Sequence, residues 1–177
     1  ENSWSRVVLD HQIALSLYER QGKIISNFET TLETQDIAFI RESFKESYIL
    51  DFLGLEKDAK EQDVERALMQ NITHFILELG KGFAFVGRQY KLIVGGQEFF
   101  IDLLFYNYIL KRFVVIELKT TEFKPEYVGQ TGFYMTAVDK DMKGDDDKTT
   151  IGLIICRSKN TIVVEYALAN SSMPTGV

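Results

Sequence analysis

Two stretches, EFFIDLLFYN at residues 98–107 and RFVVIELKT at residues 112–120, decide how this chain folds. Each is a near-continuous apolar run of strand length, rich in β-branched and aromatic residues, as expected of a strand buried on both faces. Each also carries ionisable residues where such a strand wants none. Asp102 interrupts the first run. Glu117 and Lys119 interrupt the second, and on a strand residues two positions apart leave the same face. A buried carboxylate without a partner is costly. The pattern is therefore either a cross-strand ion-pair network or a working site. The apolar flanks Phe100, Ile101, Leu103, Leu104, Val114, Val115, Ile116 and Leu118 favour the site.

Working outward, FAFVGRQYKLIV at 83–94 reads as a strand joined to the next by Gly95-Gly96, a pair suited to the positive φ angles of a two-residue hairpin turn. A second turn over 107–111 completes a three-strand meander. The spacing predicts a helix over 125–138, with Pro125 where a missing N–H is tolerated. The acidic loop KDMKGDDDK, a strand TIGLIICRS and a last strand TIVVEYAL follow. Upstream, Val64, Leu68, Ile72, Phe75 and Leu79 mark a helix over 61–79, stopped at Gly80 and Gly82. Shorter helices are expected over 10–28 and 36–47, with a boundary at 52–60. The order of helix, meander, helix and further strands fits a mixed sheet with helices packed against it.

The chain has 177 residues, 45% hydrophobic and with two prolines, which is enough for one full core and argues against disorder. No apolar run nears the roughly 20 residues needed to cross a bilayer, and no charged-then-apolar leader opens the chain. A soluble cytoplasmic protein with no membrane partner is expected. The start at Glu1 rather than Met suggests a piece excised from a longer protein. The lone Cys156, among apolar neighbours, reads as a buried reduced thiol. A net charge of −6 excludes global attraction to nucleic acid but not a local positive patch, for which Arg88, Lys91, Lys111, Arg112, Lys119 and Lys124 are candidates.

Asp102 and Glu117, on neighbouring antiparallel strands, can face one cleft. Two carboxylates that close repel, and a hard divalent cation, Mg²⁺ or Mn²⁺, relieves the repulsion. Such a cation activates water and clamps a phosphate oxygen, while Lys119 can orient that water or stabilise charge developing on phosphorus. The reaction this favours is phosphodiester hydrolysis. Other motifs are weaker. His74 shares a helix with Glu78, but His11 is the only other histidine; GKGFAFVG lacks phosphate-loop spacing; Asp145-Asp146-Asp147 lacks the terminal Glu of a calcium loop and reads as a solvated turn. Phe105, Tyr106 and Tyr108 could stack bases, although aromatic strands usually mean core.

Asp102 followed by Glu117-Leu118-Lys119 resembles the D…(D/E)xK signature of the PD-(D/E)XK nuclease superfamily. More narrowly, ELGKGFAFVGRQ, FIDLLFYN, VVIELKT and GQTGFYMTAVD are similar to the C-terminal nuclease domain of the YhcG-like family, and WSRVVLDHQI and ILDFLGL to the end of its N-terminal helical domain. The resemblance implies a restriction-endonuclease-like three-layer α/β/α core with a mixed central sheet over 59–177, preceded by a helical segment over 1–58. It implies that Asp102, Glu117 and the Leu118 carbonyl hold Mg²⁺ or Mn²⁺ and that Lys119 is catalytic. Ile101 stands where the signature has proline, as in many members. Gln130 and Tyr134 resemble the QxxxY motif of RecB-type members, although a core tyrosine with a locally satisfied glutamine fits the spacing equally well. A helix carboxylate, common in the superfamily, falls on Glu65, with Glu78 as rival. The implied activity is metal-dependent cleavage of nucleic acid, DNA ahead of RNA. A non-cleaving nucleic-acid-binding module and an assembly module are the alternatives. The resemblance leaves oligomeric state open and allows a homodimer.

Overall fold

A computed structural model of the chain describes residues 24–43, 70, 76 and 81–177. The expected helix over 61–79 falls outside these except at Gln70 and Ile76, both helical. The boundary at 52–60, most of the helix over 10–28, and Glu65, Glu78, His11 and His74 also lie outside the described residues.

The described elements are α1 (Phe28–Thr31), α2 (Thr34–Ser43), β1 (Phe83–Val94), β2 (Gln97–Asn107), β3 (Arg112–Glu122), α3 (Glu126–Asp141), β4 (Ile151–Ser158), α4 (Thr161–Leu168) and β5 (Thr175–Gly176). The strands form one five-stranded sheet in the order β1-β2-β3-β4-β5. The pairs β1–β2 and β2–β3 are antiparallel, whereas β3–β4 and β4–β5 are parallel, so the expected mixed sheet is present. The meander follows from its turns. Gly95 and Gly96 adopt φ of +59° and +80°, left-handed values that glycine accepts without a Cβ clash. At the second turn the Asn107 side-chain oxygen accepts from the N–H groups of Ile109, at 3.1 Å, and Leu110, at 3.0 Å.

Both faces of the sheet are covered. On one, Leu103, Phe105, Val114, Ile116, Leu118, Ile151 and Leu153 pack with Phe28 of α1 and Ile40 of α2, and Ile76 lies against them. On the other, Ile101, Leu104 and Val115 pack with Tyr134, Met135, Ala137 and Val138 of α3. The layers approach closely at Gly152, where an added Cβ would lie 2.7 Å from both Met135 Sδ and Thr131 Cγ2. The helix α3 also touches the neighbouring strands β2 and β3. Its Phe133 meets Phe99 of β2 with ring centroids 4.7 Å apart, and the Tyr127 hydroxyl lies 2.7 Å from Thr121 Oγ1 of β3.

Three expectations are corrected. TIVVEYAL forms the helix α4, not a strand. Asn160 caps it, its side chain accepting from Ile162 N at 3.0 Å and Val163 N at 3.4 Å, and Val164 and Leu168, one turn apart, are buried. The local cap and the helical stripe override the strand preference of its β-branched residues, and Thr175–Gly176 takes the place beside β4. Ile24 to Ser26 are not the end of a helix. Ile25 exchanges backbone hydrogen bonds with Val177 at 3.1 and 2.9 Å, and Asn27 holds the same segment by accepting from Thr175 N at 2.8 Å. The acidic run is the solvated turn expected, with Asp145 and Asp146 exposed, and Asp147 anchors its end. Asp147 accepts from the Tyr106 hydroxyl at 2.6 Å and from Gly144 N at 2.9 Å.

Finally, Arg112 belongs to no surface patch. It is 2% exposed and ion-paired with Asp36 of α2, which Lys148 also meets at 2.9 Å. That pairing ties α2 to the start of β3. Among the other patch candidates, Lys91 pairs with Glu98 at 2.5 Å, a contact between exposed side chains.

Candidate active site

The β2–β3 ladder runs from Asn107–Arg112 to Leu103–Ile116. One step further on, the same register sets Asp102 opposite Glu117, but there the strands part: β2 continues with β1 and β3 with β4. The sheet forks at these two residues. The N–H groups that would have continued the ladder need other acceptors, and the two carboxylates supply them. Leu118 N donates to Asp102 Oδ2 at 2.9 Å, and Asp102 N to Glu117 Oε1 at 3.4 Å. Polar residues inside apolar strands are thereby accommodated where the ladder ends.

Glu117 is 1% exposed. Burial, and then the charge on Asp102, push its carboxyl up to about 7, against the pull of Lys119 and the Asp102 N–H. Lys119, on the same face, lies 3.3 Å from Glu117 Oε2, and its ammonium sits 5.4 Å from the centre of the Tyr127 ring. The contact with Tyr127, in the first turn of α3, is within cation–π range.

The alternation of side chains along β2 breaks at this point. Ile101 and Leu104 pack in the same cluster, although residues three apart on a regular strand face opposite ways. Across from Asp102 on β1, Gln89 has φ of +42°. Its side-chain amide donates to Asp102 Oδ1 at 3.0 Å.

The structure thus brings Glu117 into contact with both Asp102 and Lys119. Gln130 and Tyr134 share a face of α3, with Gln130 Nε2 donating to the Tyr134 hydroxyl at 3.1 Å. Tyr134 is buried beside Ile101, Leu104 and Val115, which flank the two carboxylates along their strands. The base-stacking candidates lie elsewhere: Phe105 is fully buried, and Tyr106 packs on Phe113 at 5.1 Å towards the other end of β2. Cys156 is half-buried and free, its thiol pushed up by burial, as expected of a structural thiol. Sequence reasoning missed Gln89 and Tyr127. Tyr127 continues the Gln130–Tyr134 stripe one turn towards the helix start, a spacing that could have drawn attention to it. No sequence pattern marks Gln89.

The donor chemistry of the site fits a hard divalent cation. Two carboxylates converge, one of them held partly protonated near neutral pH by burial and the other's charge, and a cation between them reverses that preference. Among the described residues no third His, Cys, Asp or Glu joins the pair.

The family described as the YhcG PDDEXK nuclease domain matches residues 41–177. This chain belongs to that family. The YhcG protein of Escherichia coli (strain K12) is 32% identical over 171 residues, covering 94% of this chain and 45% of that protein. The chain spans less than half the length of this curated relative. Two solved structures align in part. A repair endonuclease from Pyrococcus abyssi does so with TM-score 0.47 at 19% identity, over 67% of this chain and 47% of that one. An EndoMS–dsDNA2 complex does so with TM-score 0.41 at 17% identity, over 59% and 41%. Among the described residues, no helix is long and apolar enough to cross a membrane.

Proposed function

We propose that this chain is the catalytic part of a divalent-metal-dependent nuclease that hydrolyses phosphodiester bonds in DNA. The observation that carries the reading is the fork in the sheet, with Asp102 and Glu117 facing each other where β2 and β3 part. Asp102 and Glu117, with the Leu118 carbonyl as a third ligand, would hold Mg²⁺ or Mn²⁺. Such an ion supplies an activated water and neutralises charge on a phosphate oxygen. Lys119, which lies against Glu117 and the Tyr127 ring, would orient the attacking water or stabilise the charge developing on a non-bridging oxygen. Gln130 and Tyr134 contact the nucleic acid or the site from α3. DNA is the polymer the resemblance implies, and a free, half-buried thiol fits the reducing cytoplasm.

The test is cleavage of labelled single-stranded, double-stranded and branched DNA, and of RNA, with Mg²⁺, Mn²⁺ or EDTA and with Asp102→Asn as control. Metal-dependent product from DNA that is absent in the variant is expected. Equal product from the variant overturns the site, and product from RNA alone overturns the polymer. Retention of a strand without product favours a binding module. Sedimentation of the active species reads whether it is a homodimer.

A further inference from the structure

Both oxygens of the Asp102 carboxylate are held, each from a different neighbouring strand. Oδ2 accepts from the backbone of Leu118 on β3 at 2.9 Å, and Oδ1 from the side chain of Gln89 on β1 at 3.0 Å. The first clamp is backbone and needs no particular residue type. The second requires a side chain of one length with an N–H donor, and Gln89 supplies it from an unusual backbone position. Its φ of +42° lies in the left-handed region, sparsely populated by residues other than glycine, asparagine and aspartate. Lys111, with φ of +51°, is the other described residue of this kind and sits in a hairpin turn, where such angles are ordinary. Gln89 instead lies within a strand, directly across from Asp102 in the register that pairs Arg88 with Leu103 and Tyr90 with Ile101. Glycine is the residue that fits this backbone without cost. Glutamine carries the strain together with a hydrogen bond to a carboxylate, a combination of the sort that gathers at functional sites.

We infer that Gln89 is a positioning residue that fixes the Asp102 carboxylate for a divalent cation. The inference rests on the reading of Asp102 as a metal ligand. A carboxylate clamped at both oxygens cannot rotate about its terminal torsion, so it meets the ion already oriented. Each oxygen keeps a further lone pair for coordination after accepting one hydrogen bond. Partners of this kind, one shell out from a ligand, typically change metal affinity 10–100-fold when removed.

The test is calorimetric titration of Mn²⁺ into the whole chain and two variants, with thermal unfolding alongside. Gln89→Met keeps the side-chain length and removes the donor; Gln89→Gly relieves the backbone and removes the donor. Both should bind Mn²⁺ at least about tenfold more weakly. Both should melt within about 4 °C of the native chain, the shift expected for roughly 1 kcal/mol in a chain of this size. Cleavage by the variants should recover as Mn²⁺ is raised, which a purely structural defect would not do. Native affinity in Gln89→Met overturns the inference and leaves the metal site standing. A lowered melting temperature with unchanged Mn²⁺ affinity makes Gln89 structural and also overturns it. Failure of the native chain itself to bind Mn²⁺ removes the metal site, and the inference falls with it.

Discussion

The backbone N–H of Leu118 donates to Asp102 Oδ2 at 2.9 Å, just beyond the last ladder pair, Leu103–Ile116. The carboxylate serves the fold as an acceptor and, on the proposed reading, the chemistry as a ligand. The two uses separate by substitution. Asp102→Asn keeps an oxygen for Leu118 and loses the charge. It should melt within about 4 °C of the native chain while cleavage falls by about 1,000-fold or more. Asp102→Ala leaves that N–H without an acceptor and should also lose about 1–3 kcal/mol of stability. Thermal unfolding beside a cleavage assay reads both, and full activity in Asp102→Asn would sink the site.

Lys119 and Tyr127 make a second separable pair. Lys119→Ala should lower cleavage by about 100-fold or more, the scale of losing one charge-stabilising group. It should still bind Mn²⁺. Tyr127→Leu removes the ring facing the ammonium, 5.4 Å away, a contact of about 0.5–1 kcal/mol, and should slow cleavage several-fold. Tyr127→Phe keeps the ring and loses only the hydroxyl contact with Thr121, so it should fall nearer the native rate. Equal rates for the two Tyr127 variants would show that the ring is not what matters.

The Glu117 carboxyl predicts a pH dependence of stability. It is raised from 4.5 to about 7, so between those values the unfolded chain has released a proton that the folded chain keeps. The unfolding free energy therefore falls as pH rises through this window, by on the order of 3 kcal/mol in the absence of metal. Mg²⁺ favours the charged form and should flatten the fall. Urea unfolding from pH 5 to 8, with EDTA or with Mg²⁺, measures it. Glu117→Gln should abolish the difference between the two conditions; a difference that survives in this variant would place the metal effect elsewhere.

Away from the site, Asp36 is ion-paired with the buried Arg112, whose Nε is buried without a hydrogen-bond partner. Removing the carboxylate alone strands a buried guanidinium. Asp36→Ala should cost about 3–5 kcal/mol, or roughly 10 °C in melting temperature, with cleavage per folded molecule unchanged. Asp36→Leu combined with Arg112→Met should recover much of the loss. Chemical denaturation of the single and double variants decides it.

The three meander strands, the Gly95-Gly96 turn and the helix over 126–141 were legible because each has one dominant local signal: continuous apolar runs, left-handed glycines, and a proline at the helix start. Asp102, Glu117 and Lys119 were legible because charge inside such runs has few explanations. TIVVEYAL was misread because β-branched residues satisfy both periods, and the deciding group, Asn160, lies just outside the run. The pairing of Ile25 with Val177 and the burial of Arg112 against Asp36 join residues far apart in the chain, which no local pattern encodes. Gln89 escaped notice for a related reason. Its meaning lies in a backbone angle and a cross-strand register rather than in its residue type.

The contacts of α3 give the fork a fixed gauge. Phe133 touches the hairpin prong at Phe99, and Tyr127 touches the other prong at Thr121. The helix therefore acts as a strut across the gap, and the six-residue step between its two footings measures about 9 Å along its axis. The gap between the Asp102 and Glu117 strands is thus spanned by a helix with a footing on each prong. An insertion or deletion in α3 between positions 127 and 133 would alter the bite of the site even though it touches neither carboxylate.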